Sequence, residues 1–139
     1  PLLTNNEFHN TGLVSSVGEI PDKGRVEGVR LVRADPFNCA GKYSDANAND
    51  CTELRFMRSG IDLIGAMRTP SLRNLEGSGP FMHKGQVEHL SQVLDHYNRA
   101  PEAMIGHNEA EPLGLNDLEL RQLEDFLNTL SSPASTANP

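Results

Sequence analysis

Between Gly77 and Gly85 the chain runs Gly77-Ser78-Gly79-Pro80-Phe81-Met82-His83-Lys84-Gly85. Two glycines and a proline within four residues impose a tight backbone path whose carbonyls have no regular partner. An aromatic ring, a thioether and an imidazole follow at once, a combination unusual for a connector. Tyr97 stands fourteen positions after His83. On an apolar helix stripe such a residue is most often a half-buried core tyrosine with a bonded hydroxyl, and the stripe alone favours that reading over a metal ligand. His89, His96 and His107 make no metal spacing: there is no His-Glu-x-x-His, and His89 and His96 are seven apart, so these three read as solvated. Met57, Met67, Met82 and Met104 read as packing residues. No Ser-His-Asp arrangement, phosphate loop or carboxylate pair rises above background. The acids Glu119, Glu124 and Asp125 read as a solvated helix face. The two cysteines, Cys39 and Cys51, are twelve apart, which rules out a Cys-x-x-Cys site. They fit a disulfide closing a small loop in an oxidising compartment, against the alternative of two free thiols in a reducing one.

Two helices must position this stretch. Val87, Leu90, Leu94 and Tyr97, with Val93 beside them, recur at three- and four-residue steps, which predicts a helix over 87–98. Pro101 ends it, because the residue before a proline is pushed out of the helical region. Asn116 begins a second helix over 116–130, with Glu119 reaching back to the cap amide in a capping box. Its apolar face is Leu123, Phe126, Leu127 and Leu130, and the two helices are expected to pack together. Residues 1–60 are turn-rich and show no long helical period. Val29-Arg30-Leu31-Val32 fits a short strand or a helical turn. From position 132 the tail is small and polar, and is expected to be frayed.

Length and composition frame these elements. A chain of 139 residues fits one domain with one core. Hydrophobic residues at 37% and charged residues at 22% fall below the usual shares, and 12 glycines with 9 prolines add to the expectation of a loop-rich fold. Nineteen acids against twelve bases give a net charge of −7, and nothing in the composition suggests the basic face that nucleic acid or an anionic lipid surface needs. No apolar run is long enough to span a membrane.

Several segments together resemble a known family. Thr69-Pro70-Ser71-Leu72-Arg73-Asn74, then Gly79 to Gly85, then Leu90 through Asp95-His96-Tyr97-Asn98-Arg99, resemble the C-terminal haem domain of bacterial di-haem cytochrome c peroxidases, within them the MauG-like branch. Phe8-His9-Asn10-Thr11-Gly12 and Leu123 to Leu130 match in the same order. The resemblance spans 1–131 and implies a mostly α, cytochrome c-like, loop-rich single domain. It also implies haem c, which the family attaches through Cys-x-x-Cys-His. That motif is absent here, and the resemblance places it just upstream of Pro1, with a second haem domain further upstream still.

By resemblance Tyr97 is the second axial ligand of the C-terminal haem iron, where the peroxidases generally carry Met. A thioether favours ferrous iron; a phenolate favours ferric or higher oxidation states. Leu72, Arg73, Phe81 and His83 fall at haem-pocket positions, Arg73 and His83 able to bond propionates or water. Ser78 and Pro80 fall where the family holds calcium through backbone carbonyls. The implied function is part of a periplasmic peroxidase or MauG-like oxidase that uses hydrogen peroxide and passes oxidising equivalents to a redox partner or protein substrate. The alternative is a haem-free electron-transfer or docking domain of the same fold. A further expectation is that the Cys39–Cys51 loop and the acidic surface dock a basic redox partner.

Overall fold

The computed structural model describes residues 2–13, 20–47 and 49–132. Strand β1, Phe8–His9, pairs antiparallel with β2, Met67–Arg68, in register Phe8 to Arg68 and His9 to Met67. Helix α1 is Arg25–Ala34, α2 the single turn Thr52–Arg55, α3 Leu90–Arg99 and α4 Asp117–Thr129, with a 3-10 turn at Ile61–Leu63. The regular structure is chiefly helical, and loops join every pair of elements.

Helix α4 forms where local chemistry directs it. The Asn116 side chain accepts from the Leu118 and Glu119 amides, and Glu119 accepts from the Asn116 amide at 2.9 Å, closing the capping box. Helix α3 ends at Arg99, and Ala100 turns into the left-handed region at φ 42°, so the chain leaves the helix one residue before Pro101. The two helices pack through Leu90, Leu94 and Leu127, with Leu75, Phe81, Val93, Leu120, Leu123 and Leu130 around them.

Three expectations are corrected. The first helix begins at Leu90, not at position 87: Val87 instead bridges Phe81 in an isolated antiparallel pair, and His89 with extended backbone caps the helix. Phe126 does not join the apolar face of α4, because it lies 56% exposed beside buried Leu127. Residues 1–60 do hold a ten-residue helix, α1, and Val29-Arg30-Leu31-Val32 lies inside it. Helix α1 depends on a distant contact. The Arg25 amide donates to the Ala66 carbonyl at 2.8 Å, and any Cβ on Gly24 would meet that oxygen at 2.4 Å, so only glycine fits.

Cys39 and Cys51 form the expected disulfide. Nearby in sequence, Phe37 and Tyr43 stack at 4.9 Å and both residues are exposed. Of the tail, Ser132 donates its amide to Asn74 at 2.9 Å; positions 133–139, on which most of the frayed-tail expectation falls, lie outside the described residues.

Candidate functional site

Tyr97 sits in the last turn of α3, half-buried. Among the described residues its hydroxyl makes no hydrogen bond to protein. Both chain neighbours are pinned. His96 Nε2 lies 2.7 Å from the Thr11 carbonyl, and because a carbonyl only accepts, that nitrogen carries the proton. The His96 ring meets the Tyr97 ring edge-on, with centroids 5.5 Å apart. Asn98 donates to the Leu115 carbonyl at 2.9 Å and accepts from the Leu115 amide at 2.8 Å.

The loop that leads into α3 carries the other residues singled out from the sequence. The His83 side chain is 26% exposed, with Nε2 3.8 Å from Asp22, which also lies 3.9 Å from Lys84. Burial pushes the His83 pKa below its ordinary 6.5; the Asp22 carboxylate opposes this and Lys84 adds to it. Phe81 is half-buried against the α3–α4 core, whereas Leu72 is 42% exposed and Arg73 is exposed. The Arg73 amide donates to the Ser71 hydroxyl. The Ser78 amide and hydroxyl both donate to the Leu75 carbonyl, while the carbonyls of Ser78 and Pro80 accept no hydrogen bond among the described residues. Gln86 accepts from the Lys84 amide, and its Nε2 is buried without a partner among the described residues.

These residues are not gathered into one closed pocket. No hydrogen bond or ring contact among the described residues joins Tyr97 to His83 or Phe81. An open cavity of about 430 Å³ lies between the 75–81 loop, the start of α3 and Asn128, with Phe81 in its wall. A second, of about 400 Å³, runs along α1 between Val26, Val29 and Arg33. Tyr97 lines neither. No cluster of three or more His, Cys, Asp or Glu among the described residues is arranged to hold a metal ion.

Sequence reasoning missed the residues that hold the site in place. Asn10 is buried at 4% exposure; it donates to the carbonyls of Ile64 and Ile105 at 3.0 and 2.7 Å and accepts from the Gly12 amide. His9 Nδ1 lies 2.8 Å from Glu109, and that hydrogen bond holds the Glu109 pKa below the usual carboxylate range. The sequence reading of His96 as solvated is also corrected, since its ring is half-buried and bonded to Thr11. The only local signal was the Asn10-Thr11-Gly12 turn; the partners are far away in sequence.

Comparison with known proteins bears on this arrangement. No family model matches the chain. The cytochrome-c peroxidase IdrP2 of Denitromonas iodatirespirans is 31% identical over 131 residues, 94% of this chain and 34% of that protein. The methylamine utilization protein MauG of Methylorubrum extorquens is 42% identical over 76 residues, 53% of this chain and 22% of that protein. In fold, a crystal structure of a MauG-like protein associated with microbial copper homeostasis covers 96% of this chain at a TM-score of 0.55 and 26% identity. The chain belongs to the MauG-like and di-haem cytochrome c peroxidase family. It spans about a third or less of the length of these family relatives.

Membership implies haem c, and the residues present can be tested against it. They supply an unpartnered phenol oxygen at Tyr97 and an orphaned buried donor at Gln86, both suited to a cofactor with a metal and carboxylates. They do not supply thioether anchors, because both cysteines are spent in the disulfide and none is free. Tyr97 and Gln86 would contribute to holding such a group, and its covalent anchors would have to come from elsewhere.

Proposed function

We propose that this chain is the C-terminal haem domain of a periplasmic di-haem peroxidase or MauG-like oxidase, with Tyr97 as an axial ligand of its haem iron. The observation that supports this reading is half-buried Tyr97, whose hydroxyl makes no hydrogen bond among the described residues and whose two chain neighbours are both pinned. Bound haem c supplies reversible one-electron chemistry, tuned by its axial ligands. The chain's own part would be to hold the Tyr97 phenol oxygen in place at the end of α3, between its pinned neighbours His96 and Asn98. Gln86 Nε2 and His83 stand on the preceding loop as donors for propionates or water, with Leu72, Phe81 and Arg73 as further pocket residues. Burial favours neutral His83, so at neutral pH it donates through one nitrogen and accepts at the other.

Calcium belongs to the same reading. The unengaged carbonyls of Ser78 and Pro80 are oxygen donors of the kind calcium takes, and the remaining ligands come from outside these residues. In this reading the reaction with peroxide would belong to an upstream domain, and the residues of this domain would hold the haem that passes oxidising equivalents to a redox partner or protein substrate. The disulfide fits an oxidising compartment, and no helix among the described residues is long and apolar enough to cross a membrane.

The test is Tyr97→Phe in the full-length haem-loaded protein. Loss of the phenol changes the ferric absorption and electron paramagnetic resonance spectra of one of two haems; an unchanged pair of spectra removes Tyr97 as ligand. A second reading, a haem-free electron-transfer or docking domain, is favoured by the lack of any free cysteine. Intact mass of the native protein separates the two, because covalent haem adds a fixed increment.

A further inference from the structure

Tyr97 has no bond of its own to fix its direction, yet an axial ligand must point one way. What constrains the ring lies on either side of it in the chain. Asn10, buried and bonded to Ile64, Ile105 and Gly12, holds the 10–12 turn rigid. The middle residue of that turn, Thr11, presents its carbonyl to His96 Nε2 at 2.7 Å. The His96 ring thereby stands edge-on to the Tyr97 ring at 85° between planes. On the other side Asn98 exchanges two hydrogen bonds with Leu115, the residue before the Asn116 cap of α4. The last turn of α3 is tied to two separate segments, one through each neighbour of Tyr97, and helix ends without such ties fray.

We infer that His96 is a positioning residue for Tyr97: its hydrogen bond to Thr11 ties down the last turn of α3 and so holds the phenol in the orientation from which it would ligate iron. The inference rests on the reading of Tyr97 as ligand and goes beyond it by naming the residue that makes coordination the settled state. It follows from the bond directions. Nε2–H is committed to Thr11, so the residue before Tyr97 is tied to the 10–12 turn and the helix end that carries the phenol cannot fray freely. A side chain of similar bulk without the donor leaves the turn untied.

The experiment uses the full-length haem-loaded protein with His96→Leu, His96→Gln, Asn98→Ala and Tyr97→Phe. In His96→Leu the ratio of tyrosine-coordinated to detached ferric centres, read by electron paramagnetic resonance, falls roughly five-fold, the weight of one hydrogen bond. His96→Gln, which keeps an N–H able to reach Thr11, restores most of the native signal. A purely structural role would lower the melting temperature in both variants and leave the native spectrum intact in whatever remains folded. Should His96→Leu fail to fold, Asn98→Ala releases the opposite tie and is expected to produce the same mixture. A native spectrum in His96→Leu, or in Asn98→Ala if the first does not fold, overturns the inference while Tyr97 stands as ligand. A native spectrum in Tyr97→Phe removes the ligand reading itself, so the two failures are told apart.

Discussion

Two side chains show how much a single residue decides in this fold. Asn10 spends its amide on carbonyls at Ile64 and Ile105 and its oxygen on Gly12, all within a buried turn. Asn10→Leu leaves two carbonyls and an amide without partners, and each unmade buried bond costs about 1–3 kcal/mol. The expected loss is about 3 kcal/mol, visible as a lower urea midpoint; a shift below about 0.5 kcal/mol contradicts the role assigned to Asn10. His83 sets a pH dependence. Its folded pKa lies below the unfolded 6.5, chiefly because burial disfavours the charged ring. On acidification the unfolded chain therefore takes up the proton first. Stability is full above about pH 6.5, falls as pH drops below it, and levels off beneath the depressed native value. The Glu109 carboxylate acts lower, with stability lost as pH falls below 4.5 toward its own depressed value. Urea midpoints between about pH 7.5 and about pH 5.5 isolate the histidine, and His83→Gln flattens that interval.

The elements divide by how locally they are encoded. Helix α4 and its capping box were legible because cap and partner lie within one turn, and the α3–α4 pairing followed from two apolar stripes. The disulfide was legible over two free thiols because the Gly41-Lys42-Tyr43-Ser44-Asp45 segment between the cysteines reads as turn and loop. Helix α1 was not: Gly28 interrupts it, Leu31 and Val32 expose apolar side chains, and Val29 alone is buried. Its start is fixed by the approach of Gly24 to Ala66, which no local window contains. Val87 was misplaced for a related reason, since a stripe of apolar residues continues smoothly from a β-bridge into a helix. At the site, Tyr97 came from the family resemblance, whereas Thr11 and Leu115, which hold its neighbours, lie 85 and 17 residues from their partners. The stapled 39–51 loop offers the test at this scale. Phe37 and Tyr43 stay exposed, so the loop has little core to hold it and depends on the bridge. Closing a loop of this length in the unfolded chain is worth roughly 3 kcal/mol. Reduction, or Cys39→Ser with Cys51→Ser, is expected to lower the melting temperature by that equivalent. An unchanged melting curve under reductant contradicts it.

At the scale of the whole chain, apolar burial is small. Among the described residues only Val29, Cys51, Leu63, Ala66, Leu90, Leu94 and Leu127 form the buried apolar set, while Ile20, Phe37, Phe56, Ile61 and Phe126 are more than half exposed. In the proposed reading these exposed apolar side chains are ones that a bound haem and a neighbouring domain would cover. Because the denaturant m-value scales with the surface exposed on unfolding, an isolated chain in which they stay apart should give a urea m-value below that of a compact domain of its size. An isolated chain with the m-value of a compact domain would mean that these apolar side chains pack against one another in solution, and that the core needs nothing further to close it.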